Sequence, residues 1–286
     1  MTQQIKQPGK IGAVGQIEGR GNFPKRIVCM TEETTEWFYL LGEQHRVVGI
    51  SGYTVRPPEA RKEKPKISAF TSAKIPKIMA LEPDLVIGFS DMQADIAAEL
   101  IREGVVVHIC NQRSVQEIFN TLLQLGCLIG VEQKAREILQ QYRDKLVEIQ
   151  QLSASFSRRP KVYFEEWGDP MISGIRWVSE LIEIAGGDDC FGELAKFHGA
   201  KNRIIEDANE VVLRNPDIIV GSWCGRKFAS EQVAKRSGWN EIAAVKTDQL
   251  YEIKSSDILQ PGPAALTDGV TQLNNIFSEW ASKSCP

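Results

Sequence analysis

No apolar run in this chain approaches the roughly 20 residues that a membrane-crossing helix needs; Gly104 to Ile109 and the Ile-Ile-Val centre of Asp217 to Gly221 fall far short. The opening residues carry no apolar stretch of the kind that marks a secretory signal, so the sequence as it stands reads as cytoplasmic, or as periplasmic or cell-surface if a leader has been removed. No CxxC pair and no Cys/His spacing of a structural zinc site occurs. The three histidines, His45, His108 and His198, are too scattered to suggest a metal cluster. There is no GxxxxGK[ST], no GxGxxG and no GxSxG, so phosphate cradles and nucleophile elbows of those kinds drop out. Excess charge of one sign is missing too. Thirty-four basic residues against 37 acidic ones leave −3, which gives no electrostatic case for nucleic acid.

What remains is the balance of an ordinary globular protein, with 42% hydrophobic and 25% charged residues over a length that suggests about two domains. The six cysteines, at positions 29, 110, 127, 190, 224 and 285, read as buried free thiols rather than disulfides. Residues 1–25 are rich in Gly and Gln without apolar periodicity and read as a loose arm.

Strand-like and helix-like segments alternate from there. RIVCM at Arg26 to Met30 predicts a strand, and Glu33 to Leu41 a helix with Thr31 as a candidate cap. Val47 to Ile50, Asp84 to Gly88 and Val105 to Ile109 predict further strands. Between them lie helices at Ile75 to Leu81 and Asp91 to Glu103 and a Pro-rich loop from Ser51 to Lys66. Ser114 to Ile129 and Glu132 to Ser153 are helical, the second with Ala135, Ile138, Leu139, Tyr142, Leu146 and Ile149 on one face. Alternation then resumes. Strands are predicted at Lys161 to Glu166, Asp217 to Gly221 and Leu250 to Ile253, and helices at Val178 to Ala185, Val211 to Arg214 and Ala264 to Ala281.

One internal echo bears on the architecture. LEPDLVIG at Leu81 to Gly88 resembles RNPDIIVG at Arg214 to Gly221: a short helix stopped by Pro, an Asp that begins the turn, then an apolar triplet and Gly. The expected fold is therefore α/β, with two Rossmann-like lobes of parallel sheet joined by a single long helix. The lobes are expected over residues 26–130 and 160–286, with the linking helix over 131–155.

Ligands of such sheets sit beyond the carboxyl ends of the strands. Those ends are followed by Thr31, Glu32 and Glu33; by Ser51, Tyr53 and Arg56; by Phe89, Ser90 and Asp91; by Trp167 and Asp169; by Ser222, Trp223, Cys224 and Arg226; and by Ser255, Ser256 and Asp257. Tyr53, Phe70, Trp167 and Trp223 are candidates to line a pocket for a flat, bulky ligand. Glu165 and Glu166 read either as acid/base or metal carboxylates, or as one solvated and one hydrogen-bonded side chain; neighbours on a strand point to opposite faces.

Several segments resemble the periplasmic binding proteins for vitamin B12 and ferric siderophores, whose two lobes are bridged by one long helix. They are RIVCMTEETTEWFYLLG, VVGISGYTVRPPEAR, PKIMALEPDLVIG, ELIREGVVVHICNQRSVQEI, ISGIRWVSELIEIAGGDDCF and VLRNPDIIVG, spread between about Arg26 and Trp280. The resemblance implies a class III periplasmic-binding-protein fold. It also implies a non-catalytic function: a corrinoid (cobalamin-like) ligand or related metal chelate such as a ferric chelate held in the interlobe cleft, with no cofactor required. The chain would then be the substrate-binding component of an ABC transporter, partnered by its permease, or a cytoplasmic relative without nucleic-acid or membrane-insertion partners. Carried over by position, it assigns ligand contacts to Tyr53, Phe70, Trp167 and Asp257. Arg56 stands where the B12 binders tend to have an aromatic. Glu166 and Trp223 join the candidate ligand set from the strand-end reading. The glutamates that dock such proteins on a transporter fall here at Pro76 and Asn209, with Glu206 and Glu210 as nearby substitutes. The alternative is an enzyme acting on a metal ion or chelate on the same scaffold, with Glu166, Asp169, Cys224 and His198 as its candidate groups.

Overall fold

A computed structural model describes residues 23–283 of the chain. The arm over residues 1–25 lies outside the described residues except for its last three, and Cys285 lies outside them entirely.

The first lobe runs β1 (Ile27–Cys29), α1 (Glu32–Leu40), β2 (Val47–Ser51), α2 (Pro58–Glu63), β3 (Lys66–Ser68), α3 (Ile75–Met79), β4 (Leu85–Phe89), α4 (Ala94–Arg102) and β5 (Val107–Cys110). Its sheet is parallel throughout, in the order β3-β2-β1-β4-β5. The order reverses between β1 and β4, which opens a crevice at their carboxyl ends. Two helices follow, α5 (Val115–Leu128) and α6 (Glu132–Ser153). The second lobe runs β6 (Lys161–Gly168), β7 (Met171–Ser173), α7 (Arg176–Ile184), β8 (Asp188–Asp189), α8 (Asn209–Arg214), β9 (Ile218–Gly221), α9 (Ser230–Ala234), α10 (Ala243–Lys246), β10 (Leu250–Glu252), α11 (Ser255–Ile258) and α12 (Val270–Lys283). Its strands are ordered β10-β9-β6-β7, with β8 beside the start of β6.

The sequence echo has one structural job in both lobes. Glu82 and Asn215 each take a left-handed backbone, with φ of 47° and 45°. Each then delivers an Asp whose carboxylate accepts from the backbone at, or just before, the start of the neighbouring strand. Asp84 accepts from Lys25 N at 2.7 Å and Arg26 N at 2.9 Å, and Asp217 accepts from Lys161 N at 2.9 Å. The aspartate thus staples the entry of β1 or β6 as well as beginning its own turn.

Helix α6 buries Ala135, Leu139, Leu146 and Ile149, with Ile138 and Tyr142 packed against the same core. Its 22 residues span about 33 Å. The lobes are not separate bodies on this rod. One contiguous cluster contains Ile27 and Cys29 of the first sheet, Val162 and Phe164 of the second, and Leu122, Leu181 and Phe277 from α5, α7 and α12.

The chain also crosses between lobes near its end. After α11 it reaches back to the first lobe. Gln112 Nε2 donates to Pro261 O at 2.9 Å, and Ala264 N donates to Glu36 Oε2 at 3.3 Å. Glycine is required at 262, where a Cβ would lie 2.4 Å from the Cβ of Glu33.

Several elements depart from expectation. The second sheet has an antiparallel edge: the Asp169-Pro170 turn folds the chain back so that Met171 pairs with Gly168 and Ser173 with Glu165. The stretch Ser51 to Lys66 holds α2, because Pro57 is extended and Pro58 enters the helix where no amide partner is needed. Thr31 has cap geometry but its hydroxyl donates to Glu33 Oε1 at 2.7 Å rather than accepting from a helix amide. The closing helix starts with a π turn at Ala265–Gly269, which sets Asp268 2.6 Å from Arg56.

Candidate functional site

Strand ends of both lobes face one junction. The loop after β2 supplies Tyr53, Val55, Arg56, Pro57 and Pro58, and the loop after β10 supplies Lys254, Ser256 and Asp257. Residues from both loops wall a cavity of about 870 Å³, to which α1 adds Glu36, Tyr39 and Leu40. That volume lies within the range of small-molecule sites.

Arg56 is the polar centre of this junction. Its Nε donates to Glu36 Oε1 at 2.8 Å, Nη1 to Asp257 Oδ1 at 3.2 Å and Nη2 to Asp268 Oδ2 at 2.6 Å. Arg56 and Glu36 belong to the first lobe, and Asp257 and Asp268 to the second, so the guanidinium ties the halves together. Asp257, which also accepts from Gln272 Nε2 at 3.2 Å, comes beside Arg56 rather than standing alone.

The aromatic candidates divide. Tyr53 is 54% exposed and does not line this cavity. Phe70 packs against the shared core, and its carbonyl accepts from Gln93 Nε2 at 2.8 Å. Trp167 is half-buried, its Nε1 donating to Asp169 O at 2.8 Å, and its ring centroid stands 6.3 Å from that of Trp223. Trp223 is itself buried against Phe228, 5.3 Å away in an edge-to-face contact. It supports Trp167 from behind and offers little surface of its own. The Arg226 guanidinium lies 5.6 Å from the Trp167 ring and 5.9 Å from that of Trp223.

The two adjacent glutamates point to opposite faces, and each is held by an arginine. Glu165 is fully buried, accepting from Tyr163 Oη at 2.9 Å, Trp223 Nε1 at 3.2 Å and Arg236 Nη2 at 3.1 Å. Glu166 turns the other way and takes both terminal nitrogens of Arg203, at 2.7 and 3.1 Å. Asp169 and His198 are exposed. The Cys224 thiol is pushed up in pKa, chiefly by burial and then by the charges of Glu32 and Glu166, which disfavours a thiolate. Burial raises Cys29, Cys110 and Cys190 to about 12, and all five described cysteines are free. Among the described residues no group of three or more His, Cys, Asp or Glu side chains is placed to hold a metal ion. Glu206 and Glu210 are exposed on the second lobe, Glu210 lying 3.7 Å from Arg214. Pro76 is exposed on the first.

Sequence reasoning passed over two features of the site. Arg113, in the loop after β5, and Arg203, at the end of a 3-10 turn over Ala200–Arg203, carry no pattern to flag them. Glu32 and Glu33 follow β1 as noted, but their gathering with Glu36 at the lobe junction, Glu33 and Glu36 buried and Glu32 half-buried, is a tertiary fact. Gln260 of the crossover donates to Glu32 at 3.4 Å, and Gly262 packs on Glu33. Burial, followed by the neighbouring carboxylates, raises Glu32 to about 8. Burial raises Glu33 to about 7 against hydrogen bonds that lower it. Between their ordinary 4.5 and those values the folded protein holds more protons than the unfolded chain. Stability is therefore expected to fall as pH rises from about 4.5 to about 8 and to level off above. Urea midpoints across that window check it, and Glu33→Gln should flatten the slope; a midpoint that climbs with pH in both proteins would refute the assignment.

Residues 27–256 match the model of the periplasmic binding protein family. The chain is 28% identical over 263 residues to an uncharacterized ABC transporter substrate-binding lipoprotein, YvrC, of Bacillus subtilis, covering 87% of this chain and 79% of that one. It is 25% identical over 248 residues to a vitamin B12-binding protein of Vibrio parahaemolyticus, covering 85% and 86%. Among solved structures, the periplasmic heme-binding protein RhuT from Roseiflexus sp. RS-1 superposes with a TM-score of 0.78 at 21% identity, covering 90% of this chain and 99% of that one. The periplasmic vitamin B12-binding protein BtuF of Vibrio cholerae superposes with a TM-score of 0.72 at 21% identity, covering 91% and 99%.

Proposed function

The chain belongs to the periplasmic binding protein family, and from that premise we propose that it captures a flat metal chelate, a cobalamin- or heme-type ring, between its lobes and passes it to an ABC transporter. The observation that carries this reading is the cavity of about 870 Å³ with walls from both lobes: Val55, Arg56, Pro57 and Pro58 on one side, Lys254, Ser256 and Asp257 on the other. Apolar wall surface would supply affinity, and the few polar groups orientation. Tyr53, Phe70 and Trp167, which stand outside the lining of that cavity, are the aromatic contacts this reading assigns, with Trp223 packed beside Trp167. The corrinoid is one member of the class and heme-type chelates another. Relatives named for vitamin B12 and structural neighbours named for heme support both.

The same relatives, one of them named a lipoprotein, favour a place outside the cytoplasm over the cytoplasmic reading. No helix among the described residues is long and apolar enough to cross a membrane. Docking on the permease through Glu206 and Glu210 belongs to the proposal. For the alternative, an enzyme, the candidate groups are dispersed: Glu166 is taken by Arg203, and Asp169 and His198 stand exposed.

Titration of the purified protein with cobalamin, hemin and a ferric siderophore, followed by tryptophan fluorescence, tests the reading. Saturable binding of at least one is expected, and Trp167→Ala should weaken it about tenfold or more, as for an aromatic anchor. No binding of any of the three at micromolar concentration would remove the proposed function.

A further inference from the structure

The edges of the two sheets are blunted in every place but one. Strand β3 has three residues and is entered through Lys64-Pro65-Lys66. Strand β10 has three residues and ends on Glu252, with Lys254 just beyond. Strand β8 is a pair of aspartates, and β7 is covered on its outer side by an antiparallel bridge from Ile172 to Ile204. Shortness, charge, proline and cover are the usual guards against edge-to-edge pairing. Strand β5 has no such guard. From Val105 to Cys110 the chain reads VVVHIC, with no Asp, Glu, Lys, Arg or Pro, and its register with β4 is unbroken. Among the described residues no strand pairs with its outer side.

The free backbone groups follow from the pairing. Val86 N donates to Val106 O at 2.9 Å and Ser90 N to Cys110 O at 2.8 Å, so residues 106, 108 and 110 turn their polar groups toward β4. The amides and carbonyls of Val107 and Ile109 therefore turn outward. Beside this edge runs a groove of about 480 Å³ whose walls include Asp91, Ala94, Ala98 and Ile101 of the α4 side and Ile109 and Asn111 of the β5 side. Around it Met92, Ile101 and Val106 are 55%, 61% and 64% exposed. Charge on the groove side of α4 is sorted by position. Asp91 and Asp95 stand at its beginning and Arg102 at its end, while at about 3.6 residues per turn Glu99 and Glu103 fall further round the helix. Neither Asp95 nor Arg102 has an ion-pair partner among the described residues.

We propose that the outer edge of β5 is a dimerisation surface, on which a second copy of this chain lays its own β5 antiparallel about a two-fold axis at His108. Val107 of each copy then exchanges both backbone hydrogen bonds with Ile109 of the other, and every outward group of the strand is used. A register centred on Val107 would instead call on the Val105 amide, which already donates to Leu100 O at 3.1 Å. The charges favour a second copy over a foreign segment. A two-fold axis normal to the sheet keeps both α4 helices on one face and reverses one against the other, so Arg102 of each copy comes beside Asp91 and Asp95 of its mate. The alanines between them let the helices approach closely. Such a contact is self-complementary and closes at two copies. Neither α4 nor β5 contributes to the walls of the interlobe cavity, so the pairing does not occupy it and is independent of the ligand reading.

Sedimentation equilibrium of the full chain across micromolar concentrations is expected to show a reversible monomer–dimer equilibrium. Val106→Lys puts a guarding charge at an exposed position and should weaken the dimer about tenfold or more, with the circular dichroism spectrum and melting temperature of the monomer unchanged. His108→Cys gives a positive readout of the pairing. Directly opposed residues of a non-hydrogen-bonded antiparallel pair stand about 4.5 Å apart at Cα, within disulfide reach. Mild oxidation of that variant should therefore yield a covalent dimer beyond any that the unaltered protein forms. A chain that stays monomeric at every concentration, a dimer indifferent to Val106→Lys, or a His108→Cys variant that does not cross-link would each overturn the assignment.

Discussion

Replacing Glu165 by Ala is expected to cost about 3–5 kcal/mol of stability, the range for breaking a buried ion pair from one side. The carboxylate is fully buried and anchors three donors at once: the Tyr163 hydroxyl, the Trp223 indole and the Arg236 guanidinium. Alanine leaves Tyr163, buried among Phe191 and Trp239, with no acceptor, and Arg236 with no counter-charge. Urea unfolding measures the loss. Replacing Arg236 as well, in Glu165→Leu/Arg236→Met, should cost less than the sum of the two single changes, because the desolvated charges then vanish together. A single-variant loss under about 1 kcal/mol would show that the pair barely offsets its own desolvation.

The second large effect falls on the tie between the lobes. Arg56→Ala leaves Glu36, Asp257 and Asp268 grouped without their cation. Arg56 is 31% exposed, so the loss lies between surface and buried limits, about 2 kcal/mol near neutral pH. Its pH dependence identifies the cause. Burial already raises the pKa of Glu36, and Arg56 restrains the rise. Without Arg56 that pKa climbs further. A carboxylate with a raised folded pKa loses stability as pH rises from its unfolded value through its folded one. The cost of Arg56→Ala should therefore be small at pH 5 and largest at pH 8. Equal costs at both would mean that the guanidinium acts through packing.

The two-lobed architecture was readable because it rests on local signals. Apolar runs such as Ile27–Cys29 and Ile218–Gly221 are buried strands, the face of α6 follows its 3.6-residue period, and the Pro-Asp echo marks equivalent turns. Strand β7 was not readable, because three residues folded back on a partner carry no periodicity of their own. Candidate site residues were legible as positions after strands. What they do there was not. Trp223 and Trp167 look alike in sequence, and only packing against Phe228 makes one a support and the other a surface. Arg56 carries no mark of its three carboxylates, two of which lie more than 200 residues away. Arg113 sits in a loop and Arg203 in a single 3-10 turn, where neither period nor motif announces a residue.

The late crossover, pinned by Gln112 on Pro261 and by Gly262 against Glu33, limits how the molecule can work. A clamshell on a single flexible strap could gape widely at little cost. Here the jaws are sewn together at the back by a rod and again by a returning thread, with apolar filling common to both. Wide gaping would tear that seam, so relative motion of the jaws is confined to small adjustments at the lips.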